Sequence, residues 1–155
     1  MGAVAIYARL SKDETGQQTA TARQIAACRA YAAAGDWSVA GVFEDVDVSA
    51  YRKQPRPGFD LLSSTVSAGH IDGVLVWKLD RLVRRPAEFE SFWALCDRRR
   101  VFLASTTEPI DTSTELGLTI VRVLVAFAHM ESATISLRMR ARESKKRVEL
   151  HKKLP

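Results

Sequence analysis

The residues with chemistry to offer fall in three short clusters. The first, Val-Ala-Ile-Tyr-Ala-Arg-Leu-Ser at 4–11, ends in a guanidinium and a hydroxyl two positions apart, Arg9 and Ser11. Arg56 lies between Pro55 and Pro57, and Lys-Leu-Asp-Arg-Leu-Val-Arg at 78–84 supplies Asp80, Arg81 and Arg84. Arg81 and Arg84 are three apart, so one turn of helix points both the same way. On a parallel sheet all three clusters come to the edge where the strands end, the crevice in which open α/β sheets bind ligands. Four guanidiniums around one hydroxyl repel one another unless a dianion-like group lies among them. A phosphodiester passing through a pentacoordinate transition state is such a group, and the planar fork of Arg suits it. The arginines then supply the charge stabilisation otherwise given by Mg²⁺, and Ser11 is a covalent nucleophile. Asp80 is placed either to orient an arginine or to move a proton. The plainer alternative is a Ser that caps a turn and an Arg that faces solvent.

The pattern around these clusters is that of a parallel sheet. Val4, Ile6 and Tyr7 with small neighbours read as a short buried strand. Lys12 to Ala20 reads as a polar loop, and Thr21 to Ala34 as a helix with Ile25, Cys28 and Ala32 on one face and Gly35 as its stop. Val39 to Phe43 is a second strand running into Glu44-Asp45, and Val46 to Pro57 is irregular. A helix from Pro57 carries Phe59, Leu62 and Val66 and stops at Gly69. The apolar run Val74 to Trp77 is the clearest central strand, followed by a basic loop from Lys78 to Arg85. Pro86 opens a helix with Phe89, Phe92, Trp93 and Cys96 as its stripe, and Val101 to Ala104 is a fourth strand. Strands alternating with helices predict an α/β fold, a mostly parallel sheet with helices on both faces.

The last element differs. After Glu115 the only Gly is Gly117, and Pro is absent until Pro155. Thr112 and Glu115 offer a capping box, and Leu116, Ile120, Val123, Leu124, Phe127 and Met130 an apolar face, continued weakly by Ile135. Some 30 helical residues would measure roughly 45 Å, more than a domain of this size covers. The projecting half therefore needs a partner: another subunit, DNA, or both. Residues 1–114 are accordingly read as an α/β core and 115–155 as a long helix.

The chain has 155 residues, 46% of them hydrophobic, with 8 Gly and 5 Pro, which fits one well-packed domain. No apolar run approaches the ~20 residues of a membrane span, and the N-terminus lacks a secretory pattern. Cys28 and Cys96 fall in helical apolar stripes and read as reduced core residues of a cytoplasmic protein. His70, His129 and His151 are scattered and receive no role. Charge is unevenly placed. Between Arg138 and Lys153 eight basic residues oppose Glu143 and Glu149, a net +6 in a chain whose total is +5. A steep local bias of that sign points to nucleic acid, with Arg138, Arg142, Lys145 and Lys146 as contacts.

Together these segments resemble a known family. Tyr7-Ala8-Arg9-Leu10-Ser11, then Gln24, then residues 56–62 (Arg-Pro-Gly-Phe-Asp-Leu-Leu), then 78–84 are similar to the catalytic domain of the serine recombinases. That family comprises resolvases, DNA invertases and large serine integrases. The resemblance runs from about Val4 to Arg140. It implies that Ser11 attacks a DNA phosphodiester to form a 5′-phosphoserine bond, with no metal, ATP or other cofactor. It also implies that Arg9, Arg56, Arg81 and Arg84 bind the scissile phosphate, supported by Asp80, Gln24 and Tyr7. The long helix would form a homodimer interface and cross double-stranded DNA near Arg138, with a tetramer during strand exchange. Such a protein is bacterial or phage-encoded, nucleoid-associated and remote from any membrane.

The length of the loop from Asp13 to Ala20 leans towards the large-integrase branch. Two departures stand out. The family's Gln-x-Glu-Arg is His129-Met130-Glu131-Ser132 here, and Ser132 cannot supply the charge of that Arg. The family's separate DNA-recognition domain is not found before Pro155, so the chain reads as a catalytic fragment. Without base readout, weak and salt-sensitive binding is expected. Two rivals remain open: a metal-dependent nuclease using Asp45-x-Asp47, and a non-catalytic dimerisation and DNA-binding module. No Gly-x-Ser-x-Gly elbow or phosphate-cradling Gly-rich loop is present.

Overall fold

The computed structural model describes residues 2–11, 17–47 and 55–152. β1 (Ala3–Ser11) runs down the middle of a four-stranded sheet, paired with β2 (Ser38–Asp47) on one side and β3 (Gly73–Val76) on the other. β4 (Phe102–Ser105) pairs with β3, and all three pairings are parallel. The two central strands explain the continuous apolar runs: Val4 to Ala8 of β1 and the whole of β3 are buried.

Side-chain alternation along β1 divides the core into two layers. Val4 and Ile6 pack against Cys28 and Ala32 of α1 (Gln17–Ala34). Ala5 and Tyr7 face the other way, onto Leu62 and Val66 of α2 (Pro57–Ala68) and Phe89, Phe92 and Cys96 of α4 (Pro86–Arg99). Each large side chain buried in this way contributes about 1.5–3 kcal/mol. Both cysteines are free, and burial pushes their thiols up to about 12.

From β1 the chain steps outward to β2, then crosses back to β3 and β4. The connections leaving β1 and β3 therefore diverge, and the crevice between their carboxyl ends is the topological switch point. Two local readings change there. Helix α1 begins at Gln17 rather than Thr21, because the chain after Gly16 holds no residue that breaks a helix; positions 12–16 of the expected loop lie outside the described residues. The segment expected to be an irregular loop after β3 contains a single helical turn, α3 (Leu79–Leu82). Of the irregular stretch after the second strand, residues 48–54 lie outside the described residues.

The last helix, α5 (Glu115–Lys152), has 38 residues, roughly 57 Å at 1.5 Å per residue. Thr114, not Thr112, caps it: the Gly117 N–H donates to Thr114 Oγ1 at 3.1 Å, while the Thr112 hydroxyl accepts from Leu103 N–H at 2.8 Å. The docked face is also rotated from the expected one. Gly117, Val121 and Ala128 are buried, with Ile120 and Leu124 packed beside the core, whereas Leu116, Val123, Phe127 and Met130 are 50–67% exposed. Close approach is the reason. A Cβ on Gly117 would lie 1.9 Å from the Asp111 carbonyl oxygen, so only glycine fits at that contact, and its neighbour Leu116 faces outward. From 133 to 147 every residue is exposed. By length and composition alone α5 is apolar enough to cross a membrane, although Arg122 and Glu131 interrupt its apolar run. Its first half lies against α4.

Candidate active site

β1 outruns β3. Its pairing with β3 stops at Tyr7, whereas its pairing with β2 continues to Ser11 opposite Asp47. Arg9 thus projects past the end of β3, where α3 begins. A one-turn helix has no internal donors for its last carbonyls, and Arg9 supplies them. Its Nε donates to the Arg81 carbonyl at 2.9 Å and its Nη2 to the Asp80 carbonyl at 2.5 Å. Burial and the positive charges of Arg56 and Arg81 pull the Arg9 pKa down, opposed by Tyr7 and Asp80. Cations crowded at one strand end favour an anion among them.

Arg56 lies deeper than expected. It is 7% exposed, and its Nη2 donates to Tyr7 Oη at 2.8 Å and to the Leu82 carbonyl. Its Nη1 pairs with Glu88 at 3.2 Å, and its guanidinium lies 4.2 Å from the centre of the Phe59 ring. The four guanidiniums expected around one hydroxyl are therefore not equivalent: the charge of Arg56 is compensated inside the protein by Glu88. Pro57 disfavours the helical conformation at the preceding residue. Arg56 is accordingly non-helical (φ −123°, ψ 73°), and its side chain is buried at the base of α2.

Tyr7 is fully buried and donates to Asp45 Oδ2 at 2.8 Å. Burial raises its pKa well above the usual phenol value despite Arg56, so it stays protonated. Asp45 also accepts the Gly58 and Phe59 N–H groups, each at 2.8 Å, and so caps α2. Its lone pairs are engaged inside the protein, which removes it as the first half of the carboxylate pair considered for a metal; the side chain of Asp47 lies outside the described residues. Gln24, on α1 and 2% exposed, reaches the Arg9 carbonyl through Nε2 at 3.4 Å, while its buried Oε1 meets no hydrogen-bond partner among the described residues.

Asp80 and Arg81 occupy α3 itself. Asp80 is 70% exposed, with Oδ1 3.7 Å from Arg81 Nε, and Arg81 is half-buried beside the Trp77 ring. Arg84 follows on the link to α4. Its side chain lines a groove of about 420 Å³ with Asp80, Phe89, Leu124 and Phe127, and its N–H donates to Glu88 Oε2 at 2.9 Å. Burial raises the Glu88 pKa, but the Arg84 N–H, Arg56 and Arg85 outweigh it and hold the carboxyl below its ordinary value.

Tyr7, Arg9, Gln24, Arg56, Asp80 and Arg81 thus converge on the end of β1, with Arg84 on the flank. The backbone of Ser11 closes that strand; its side chain lies outside the described residues. Arg138, Arg142, Lys145 and Lys146 are exposed on α5. Arg138 stands ten residues past Ala128, the last buried position among the described residues, or roughly 15 Å along the helix. Three carboxylates in this network have roles that the sequence did not assign. Asp45 resembles half of a metal pair there. Glu88 stands two residues after Pro86, near the spacing at which a helix-start Glu reaches back to a preceding N–H. Glu108, which accepts the first N–H of α3 at 2.7 Å, has no local sign.

Known proteins share this build. The family model "Resolvase, N terminal domain" matches residues 4–149. A DNA-invertase of Escherichia phage P1 is 36% identical over 100 residues, 64% of this chain and 52% of that protein. The chain therefore spans about half the length of the curated relatives it matches. Among solved structures, the N-terminal catalytic domain of TP901-1 integrase superposes with a TM-score of 0.70 at 28% identity, covering 85% of this chain and 98% of that one. A resolvase family site-specific recombinase from Streptococcus pneumoniae gives 0.77 at 25% identity, covering 95% and 99%. The strand order, the site-bearing edge and most of the long last helix lie inside the matched segment, and the chain belongs to the resolvase N-terminal domain family, with the fold of a serine recombinase catalytic domain.

Proposed function

We propose that this chain is the catalytic domain of a site-specific DNA recombinase. Ser11 Oγ gives up its proton and attacks a phosphodiester of double-stranded DNA, the P–O3′ bond breaks, and the departing O3′ takes up a proton in exchange to leave a free 3′-hydroxyl. The 5′-phosphoserine ester conserves the bond energy, so attack by another 3′-hydroxyl reseals the strand without ATP or a metal. Arg9, Arg81 and Arg84 neutralise the reacting phosphate. Arg56, Tyr7 and Gln24 hold those groups from behind, and Asp80 steers Arg81. The exposed face of α5, Leu116, Val123, Phe127 and Met130, pairs with a second copy, and Arg138, Arg142, Lys145 and Lys146 track the DNA backbone. Dimers bind each site and a tetramer exchanges strands, in the cytoplasm of a bacterium or infected cell.

The observation that carries this reading is the convergence of Arg9 and Arg81, with Asp80, on the strand end that Ser11 closes. The similar phage DNA-invertase and integrase catalytic domain support the same substrate class.

The test is covalent trapping on nicked duplex DNA in excess chelator, resolved on a denaturing gel. An adduct formed by the wild type and absent from Ser11→Ala is the expected result. Cleavage without an adduct that stops on chelation would replace it with metal-dependent hydrolysis. Binding without cleavage, unchanged in Ser11→Ala, would leave a DNA-holding module.

A further inference from the structure

We propose that Glu108 is a positioning residue for the segment that bears Asp80, Arg81 and Arg84, acting by holding the first N–H of α3. What the positioned groups do rests on the recombinase reading above; that they are positioned does not.

The need for such a residue comes from α3 itself. A four-residue helix bears the cost of nucleation with almost no propagation to offset it. Lys78 stands at its N-cap and makes no side-chain cap bond. The turn must be held from outside, and both of its ends are. At the carbonyl end Arg9 donates to the Asp80 and Arg81 oxygens and Arg56 to that of Leu82. At the amide end Glu108 Oε2 accepts from the Leu79 N–H at 2.7 Å. Cations at one end and a carboxylate at the other also match the polarity of the helix.

Glu108 is itself fixed by the loop that carries it. The hydroxyl of Ser105, 4% exposed, lies 2.9 Å from Glu108 Oε2 and 3.1 Å from the Trp77 carbonyl. Thr107 Oγ1 donates to that same carbonyl at 2.7 Å, and the Thr106 N–H to the Val76 carbonyl at 2.9 Å. The loop after β4 is thus tied to Val76 and Trp77 at the end of β3 and delivers a carboxylate to the next turn. Because Arg9 is held by the carbonyls of α3, a loosened α3 displaces Arg9 as well as its own side chains. Glu108 therefore reaches both halves of the cation cluster through the backbone of α3.

The experiment compares wild type, Glu108→Ala and Glu108→Gln, the last keeping an acceptor oxygen at the same reach. Three quantities are read: amide hydrogen exchange at Leu79–Leu82, duplex affinity, and the rate of the Ser11-dependent adduct. In the Ala variant, protection at Leu79–Leu82 should fall and the adduct rate should drop roughly 10- to 100-fold, as expected when reacting groups shift by about an ångström. Duplex affinity, supplied by α5, should hold, and Gln should restore most of the protection and rate. Ala at wild-type rate with unchanged protection overturns the proposal, as does a Gln variant as impaired as Ala. If wild type forms no adduct, the recombinase reading fails, and exchange alone decides: loss in Ala with retention in Gln sustains the positioning role, and no difference overturns it. If the Ala variant does not fold, Glu108→Asp, which withdraws the carboxylate by one methylene, carries the same measurements.

Discussion

Two regions of this molecule are rich in arginine and use it in opposite ways. At the carboxyl end of β1, guanidiniums are tied into the fold: Arg9 into the carbonyls of α3, and Arg56 into Tyr7, Leu82 and Glu88. Along the far half of α5, Arg138, Arg140, Arg142, Lys145, Lys146 and Arg147 are exposed and stand beyond the buried Ala128. The first group has lost rotamer freedom during folding, so an anion arriving there meets charges already oriented. The second keeps its freedom and its hydration. It suits a long, uniformly charged surface that needs no fixed geometry.

The comparison can be broken at its strongest point first. If Ser11 is the nucleophile at the rigid edge, Ser11→Ala should lower adduct formation by roughly 10⁴-fold or more while leaving the melting temperature and duplex affinity in place. A variant that still formed the adduct would move the chemistry elsewhere. Next in size is Arg56→Ala. Removing a buried partner of Glu88 and Tyr7 should cost about 3 kcal/mol in chemical denaturation, with Arg56→Lys recovering only part. An Arg56→Ala protein of wild-type stability would mean that the edge cations are no more structural than those of α5.

The third prediction concerns α5. Replacing Arg138, Arg142, Lys145 and Lys146 by Ala should leave the denaturation midpoint within experimental error and weaken duplex binding. The salt dependence (log K against log[salt]) should become shallower by about 0.9 for each phosphate that is no longer neutralised. An unchanged slope would remove this helix from the DNA. The smallest effect is in pH. Glu88 is held below its ordinary value of 4.5 and Asp111 below 3.8, the latter because Ser113 and Tyr31 donate to it in spite of burial. Carboxyls with depressed pKa values contribute stability above their unfolded pKa, and it is lost as pH falls through the folded one. The melting temperature should therefore decline below about pH 4.5, and Glu88→Gln should flatten part of that decline.

The candidate site was legible where residue type and strand order suffice to propose it. Arg9, Ser11, Asp80, Arg81 and Arg84 stand directly after apolar runs, and an alternating strand and helix pattern brings such ends together. Arg56 was legible as a member of the cluster, but its depth was not. Whether a guanidinium faces solvent depends on Glu88 and Phe59, 32 and 3 residues away, closing over it. The docked face of α5 differs from the expected one for a related reason. Hydrophobicity alone favours Leu116, Val123 and Phe127, yet the backbone of Asp111 admits only Gly117 at the contact.

By itself, then, the amino-acid sequence determined the layering, the identity of the candidate cations and the presence of a long last helix, though that helix runs to 38 residues rather than some 30. Each of these depends on local periodicity, on which residues break a helix, and on charge that can be counted along the chain. Tertiary structure alone decided which carboxylates matter. Asp45 caps a helix 13 residues away, Glu88 compensates an arginine 32 residues away, and Glu108 holds a turn 29 residues away. Long-range hydrogen bonds of this kind leave no periodic trace in a single chain, because the partner is chosen by how the sheet and helices pack.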